Sequence, residues 1–421
     1  MRVLQINKFF FEKGGSERYF FSVSRSLEKR GHSVIHFSMR HPSNLESPYS
    51  EFFVDEKNYT AAHSGMESVR LGASFIHSKE AAVRLTELIR VARPDIAHLH
   101  NIYHQITPSI IPVLDNGGIP VVMTLHDHKL VCPNYGFFDG RTYCDRCRGG
   151  RFYQAALTRC SNRSFVRGVL LAAEAYWQRW SRVYDRVRRF VCPSRYLRDQ
   201  HRSEGFGGDR VVYLPPYILD EGNNGGEDDA PGVVDSLPSA FVLYFGRLGS
   251  EKGLVTLIDA MARCDSVPLV VCGDGPLRCT LQTEADRRLT GRVTFTGHLP
   301  KSDLDRVVER ARMVVTPSEC PENAPFAVLE SMSRGVPVVV SDMGGLPELA
   351  EMGGCVTFPA GDVESLADRI ATLWSNPDRA RSIGRDGKRV VTKNLTEAKH
   401  LDGLETIYGQ AVGLSHTREG R

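Results

Sequence analysis

No long hydrophobic run occurs in this chain. The longest apolar stretches, such as Val336 to Val340, are short and end at proline or polar residues. A membrane-spanning helix needs about 20 such residues, so these stretches read as buried strands. Charge of one sign is also missing. Against 53 Lys and Arg stand 50 Asp and Glu, a net charge of +3 over 421 residues. That balance gives no global signal for nucleic acid, and any basic patch must be local. Nor is there a secretory pattern at the start, where a single Arg precedes a short apolar strand. The chain is therefore expected in the cytoplasm, with its ten cysteines mostly reduced.

What is present is strand–helix alternation. Strands are expected near Val3–Ile6, Ser33–Phe37, Asp95–Leu99, Val121–Leu125, Arg189–Cys192 and Val211–Leu214. In the second half they are expected near Phe241–Phe245, Leu269–Cys272, Val293–Thr296, Met313–Thr316, Val336–Val340 and Cys355–Phe358. Amphipathic segments such as Ser16–Arg30, Leu254–Arg263 and Ser365–Trp374 lie between them. The pattern predicts an α/β protein with parallel sheets and helices on both faces. Residues 220–230, DEGNNGGEDDA, are polar, acidic and glycine-rich, so they read as a linker. It divides an N-terminal domain, 1–219, from a C-terminal domain, 231–393. A last helix, about 394–411, is expected to return to the first domain. Two such domains facing each other would enclose a cleft.

Four motifs carry chemistry. Pro317 to Met332 follows a strand and enters a helix. Glu322 sits in its loop, and Glu330 is expected about two turns into the helix. A carboxylate there can accept the two hydroxyls of a ribose. The N–H groups near Phe326 and Ala327, with Asn323 and Ala324 before them, form a helix N-terminus suited to phosphate. A solvated loop acid and a helix-surface acid are the plain alternative. Phe245-Gly-Arg247-Leu-Gly-Ser-Glu-Lys252-Gly places two cations on a glycine-rich loop, fit for a leaving diphosphate or for nothing more than a solvated turn. Gly14-Gly15-Ser-Glu17 opens a helix, yet it is no full GxGxxG and lacks the P-loop lysine. Thr124-Leu-His126-Asp-His128 ends a strand, where a histidine can meet a sugar hydroxyl or serve the core.

Together GGSE, HD, FGRLGSEKG, CGDGP, TGHLP and the Glu322–Glu330 pair resemble glycosyltransferase family 4, whose fold is GT-B: two Rossmann-like domains across a cleft. The likeness runs from the first strand to beyond residue 370. It implies a retaining glycosyltransferase that moves a sugar from a UDP- or GDP-sugar to a glycan or lipid-linked acceptor, in cell-surface polysaccharide synthesis, without a catalytic metal. By the same likeness Arg247 and Lys252 hold the diphosphate, Glu330 the ribose, and Glu322 the donor sugar's hydroxyls. Gly15, beside Gly14, packs on the diphosphate, and His126 stands beside the reacting sugar. Gly297 to Leu299 lines the base, and the Gly273 turn lies near the donor. One departure is Tyr213 to Tyr217, YLPPY, where the family often has Asn-Gly.

Cys132, Cys144, Cys147 and Cys160 fall in one insertion, about 130–162, with spacing C-x11-C-x2-C-x12-C. Four thiolates at such spacing suit a structural zinc ion, or remain four plain thiols. The stretch after it, Arg163 to Arg189, is rich in arginine and aromatic residues. It reads either as a surface for anionic lipid, which would place the enzyme peripherally at the inner face of the cell membrane, or as a helix packed on its own domain. Two other functions stay open: a nucleotide-sugar epimerase of the same fold, and a zinc-containing binding protein without transferase activity.

Overall fold

The computed structural model describes residues 1–57, 59, 65–219 and 233–416. The expected linker, 220–230, and the last five residues lie outside the described residues. The chain divides into two compact units. The first comprises Met1–Gly136, Asp145–Pro215 and the segment from Glu397 onward, and the second comprises Phe137–Cys144 and Pro216–Thr396.

Each unit is built on one six-stranded parallel sheet. In the first, β1 (Arg2–Ile6), β2 (Ser33–Phe37), β3 (Ile96–Leu99), β4 (Val121–Thr124), β5 (Arg189–Cys192) and β6 (Val211–Tyr213) lie in the order β2-β1-β3-β4-β5-β6. In the second, β7 (Val242–Phe245), β8 (Leu269–Cys272), β9 (Val293–Gly297), β10 (Met313–Thr316), β11 (Val338–Ser341) and β12 (Cys355–Phe358) lie in the order β12-β11-β10-β7-β8-β9. All twelve strands fall where the apolar runs predict them. Most are short and apolar throughout because helices cover both faces of a parallel sheet.

The second unit shows this directly. Val242 and Tyr244 of β7 point into one core, with Leu257, Val271, Val315 and Ile370. Leu243 and Phe245 point into the other, with Val270, Val314, Val328 and Val338. Alternate residues serve opposite faces, as a strand requires. The strand order reverses between β1 and β3 in the first sheet, and between β7 and β10 in the second. Loops leaving such a reversal diverge and open a crevice at the carboxyl ends of the strands. The last helix, Glu397–His416, belongs to the first unit. Its Tyr408 hydroxyl meets His98 Nδ1 of β3 at 2.7 Å, and its His400 meets the Tyr19 hydroxyl at 2.8 Å.

Candidate functional site

In the second unit the FGRLGSEKG loop leaves β7 and the PSECPE loop leaves β10, on the two sides of the reversal. Lys252 Nζ donates to Glu322 Oε1 at 2.5 Å, and the Ser318 hydroxyl donates to the same oxygen at 2.7 Å. Two glycines make the approach possible. Gly253 has φ +68°, and a Cβ there would overlap the Pro317 carbonyl, so only glycine lets the two loops pack. Gly344, at φ +66°, lies against the Glu322 backbone, and the Gly345 N–H donates to the Glu322 carbonyl at 2.6 Å. Glu322 is thus held at both its side chain and its main chain.

Burial alone would raise the Glu322 carboxyl. The adjacent Lys252 charge, with the bonds from Lys252 and Ser318, outweighs it and holds the group below the usual range. Burial would likewise lower Lys252, but Glu322 raises it, so the ammonium stays charged. Arg247 is more open to solvent and pairs with Glu251, while its carbonyl accepts from the Tyr244 hydroxyl at 2.9 Å. The loop therefore carries two cations, each oriented by an acid.

Downstream, Asn323 and Ala324 lead to the Phe326–Ser333 helix, which no side chain caps at Pro325. The first-turn amides around Phe326 and Ala327 give this end its positive potential. Glu330 is the fifth residue of this helix, which starts at Phe326 as expected, so it lies about one turn in rather than the two expected. Glu330 is buried, with Lys301 Nζ 3.6 Å from its carboxylate. Gly273, after β8, donates its N–H to the Gly297 carbonyl at 2.7 Å. The Leu299 side chain is buried in the core, whereas its neighbour His298 is exposed.

Gly14, Gly15 and His126 belong to the first unit, and the other donor-site candidates to the second. Gly14 is extended and the helix Gly15–Lys29 begins at once without a side-chain cap. Glu17 in its first turn is buried and accepts from Asn7 Nδ2 at 3.4 Å, so this N-terminus already faces one acid. His126 follows β4 and meets His100 at 3.0 Å, and His100 in turn meets Gln5 at 2.8 Å. Burial pushes His126 down to about 4 and His98 to about 3, so the cluster is neutral at pH 7. Beside it, burial raises the Asp127 carboxyl and lowers the Lys8 ammonium. Asp127 accepts from the Lys129 N–H at 2.9 Å, and the Lys129 side chain, fully buried, reaches Glu174 at 2.7 Å.

The expected zinc site is not formed. Among the described residues no group of three or more His, Cys, Asp or Glu side chains is arranged to hold a metal ion. Cys144 groups with the second unit, and Cys132, Cys147 and Cys160 with the first. Cys147 and Cys160 pack with Phe152, Ala155, Ala172 and Ala175 in a small apolar cluster, where they act as hydrophobic residues.

Sequence reasoning missed Ser318, Lys301, the Gly344–Gly345 pair, and the Lys129–Glu174 pair. The glycine pair after a strand carried a readable signal. The others do not, because their partners are distant in sequence.

Residues 13–218 match the family description Glycosyltransferase Family 4, and residues 234–390 match Glycosyl transferases group 1. Among curated proteins, the O-antigen chain mannosyltransferase C of Escherichia coli is 28% identical over 172 residues, 40% of this chain and 46% of that protein. The sulfoquinovosyl transferase SQD2 of Arabidopsis thaliana is 31% identical over 157 residues, 36% of this chain and 30% of that one. These matches span about half or less of the relatives' own length. Among solved structures, sucrose-phosphate synthase from Thermosynechococcus elongatus aligns with a TM-score of 0.69 at 18% identity, over 98% of this chain and 99% of that one. HepE from Anabaena, in complex with UDP and glucose, aligns at 0.63 and 18%, over 97% and 99%. With two GT-B sheets and both halves matched in order, this chain belongs to the family 4 glycosyltransferases.

Proposed function

We propose that the protein is a retaining glycosyltransferase that moves a sugar from a UDP- or GDP-sugar to a glycan or lipid-linked acceptor. The observation that carries this is the Lys252–Glu322 pair at the β7/β10 reversal, with Arg247 on the same loop and a helix N-terminus just downstream. Two fixed cations beside a helix N-terminus suit a diphosphate leaving group, and electrostatic stabilisation of that charge is the main catalytic need.

In this reading the bond between the anomeric carbon and the diphosphate oxygen breaks as the acceptor hydroxyl attacks the same face. The departing phosphate takes the acceptor's proton, so no glycosidase-type carboxylate pair is required. Lys252 and Arg247 neutralise the diphosphate. Glu322 holds Lys252 in place and offers its second oxygen to a sugar hydroxyl. Glu330 accepts from the ribose, with Lys301 Nζ 3.6 Å from its carboxylate. Base contact from the TGHLP loop comes from its backbone or from His298, since Leu299 is buried. The roles that the family likeness gives Gly15 and His126, on the diphosphate and beside the sugar, are part of the proposal. We place the reaction in the cytoplasm, where ten thiols stay reduced.

The relatives support this reading at the level of chemistry: one is named for mannosyl transfer, another for sulfoquinovosyl transfer, and HepE was crystallised with UDP and glucose. The test is a panel of UDP- and GDP-sugars with membrane extract as acceptor, followed by analysis of the linkage formed. Transfer from one donor with the anomeric configuration kept is expected. An inverted product would overturn the retaining assignment, and epimerised free donor without transfer would overturn the function.

A further inference from the structure

We propose that the outward face of the Phe165–Ser181 helix, with the short helix before it, is a docking surface for an anionic lipid bilayer.

The inner face of this helix is fixed. Gly168, Leu171, Ala172, Glu174, Ala175 and Gln178 are buried. At Gly168 the helix presses on the backbone of Ala155 and Ala156, and any side chain there would overlap it. Trp177 turns inward, edge-on to His77. The opposite side is exposed and apolar: Phe165, Val166, Val169, Tyr176 and Trp180, with Val166 76% and Trp180 82% accessible. At about 100° per residue these five lie within one sector of roughly 100°. Exposed Tyr153 and Leu157 of the short helix Gln154–Leu157 and its start continue the surface, and the Tyr153 N–H donates to the Tyr176 hydroxyl at 3.3 Å.

Charge decides what covers it. Residues 141–182 hold nine arginines (141, 146, 148, 151, 159, 163, 167, 179 and 182) and two acids, Asp145 and Glu174, a local excess of 9 − 2 = +7 in a chain of net charge +3. Glu174 is buried on the inner face against Lys129, so the outward face carries no acid. Arg151, Arg159, Arg163 and Arg179, on this helix and the segment before it, are exposed. A two-fold contact between copies would set this arginine rim against itself. An anionic headgroup layer matches it instead, with Trp and Tyr at the interface and arginines on the phosphates. Among the described residues no helix is long and apolar enough to cross a membrane, so the contact is superficial.

This inference does not rest on the transferase reading, because lipid binding is read without any donor. The full chain is sedimented with vesicles of phosphatidylglycerol and phosphatidylethanolamine, and with vesicles of phosphatidylcholine alone. Binding to the anionic vesicles should be about tenfold stronger or more, and should weaken in high salt. The double variant Val166→Glu, Trp180→Glu should lose at least about tenfold of that binding with an unchanged melting temperature, since both side chains are exposed. Arg159→Gln with Arg163→Gln should reduce the preference for anionic lipid while leaving the apolar face intact. Equal binding to both vesicle types, or undiminished binding of the double variant, would overturn the proposal. So would sedimentation velocity showing a dimer that the double variant dissolves.

Discussion

Lys252 and Glu322 each make the other possible. Neither cation nor acid is fully exposed, and each keeps its charge because the partner offsets burial. Removing Lys252 alone leaves a carboxylate enclosed without its cation, which costs on the order of 3 kcal/mol of stability. The double variant Lys252→Met, Glu322→Gln should recover most of that loss in a denaturant titration. It should recover none of the turnover, because the diphosphate cation is still missing. Lys252→Ala should lower kcat by about 10²–10³-fold, the usual effect of losing one preorganised charge at a reacting centre. If the double variant regains turnover, Lys252 is a structural cation only. The identities of both residues could be read from the sequence, but their pairing could not. Seventy positions separate them, and only the juxtaposition of β7 and β10 brings them together.

At the level of elements, loop geometry follows from small residues. Gly253 lets the β7 loop lie on Pro317, so Gly253→Ala should push the loops apart, weaken nucleotide binding roughly tenfold, and cost about 1–3 kcal/mol from strain at a positive φ. Calorimetry with UDP and GDP, and a thermal melt, measure the two effects. In the first unit the Phe165–Ser181 helix is tied to the loop after β4 through Glu174 and Lys129. Glu174→Ala strands a buried ammonium and should cost about 3–5 kcal/mol, whereas an exposed neighbour such as Ala173→Ser should cost almost nothing. The strands themselves were legible because short Val- and Leu-rich runs between helical patterns have few other readings. The start of the Phe326–Ser333 helix was legible too, at Phe326 and Ala327, but the depth of Glu330 was overestimated: as the fifth residue it lies about one turn in. The cysteines misled for another reason. Their spacing, C-x11-C-x2-C-x12-C, suggested ligands, yet Cys147 and Cys160 pack in an apolar cluster.

Across the whole molecule, buried histidines set the acid limit. His36, His104, His126, His201 and His400 are each pushed down to about 4 by burial, and His98 to about 3. Unfolded histidine takes a proton near pH 6.5, whereas these take it only below about 4. Between those values the unfolded chain binds more protons, so stability falls as pH falls through that window. A melting temperature measured from pH 7.5 to 4.5 should drop steeply below about pH 6.5. A flat profile to pH 5 would mean that these side chains reach water. The two-unit architecture was legible in the alternation of strands and helices, but the acceptor was not. Nothing in the first unit's histidine and acid cluster names a sugar.

The central claim is that Arg247 and Lys252 hold a nucleotide diphosphate as it leaves. The most direct measurement is release of nucleoside diphosphate from a panel of UDP- and GDP-sugars, with acceptor extract, by the wild-type chain and by Lys252→Ala. Release from at least one donor is expected, reduced about a hundredfold or more in the variant. Release from none of the donors, or equal release by both proteins, would contradict it.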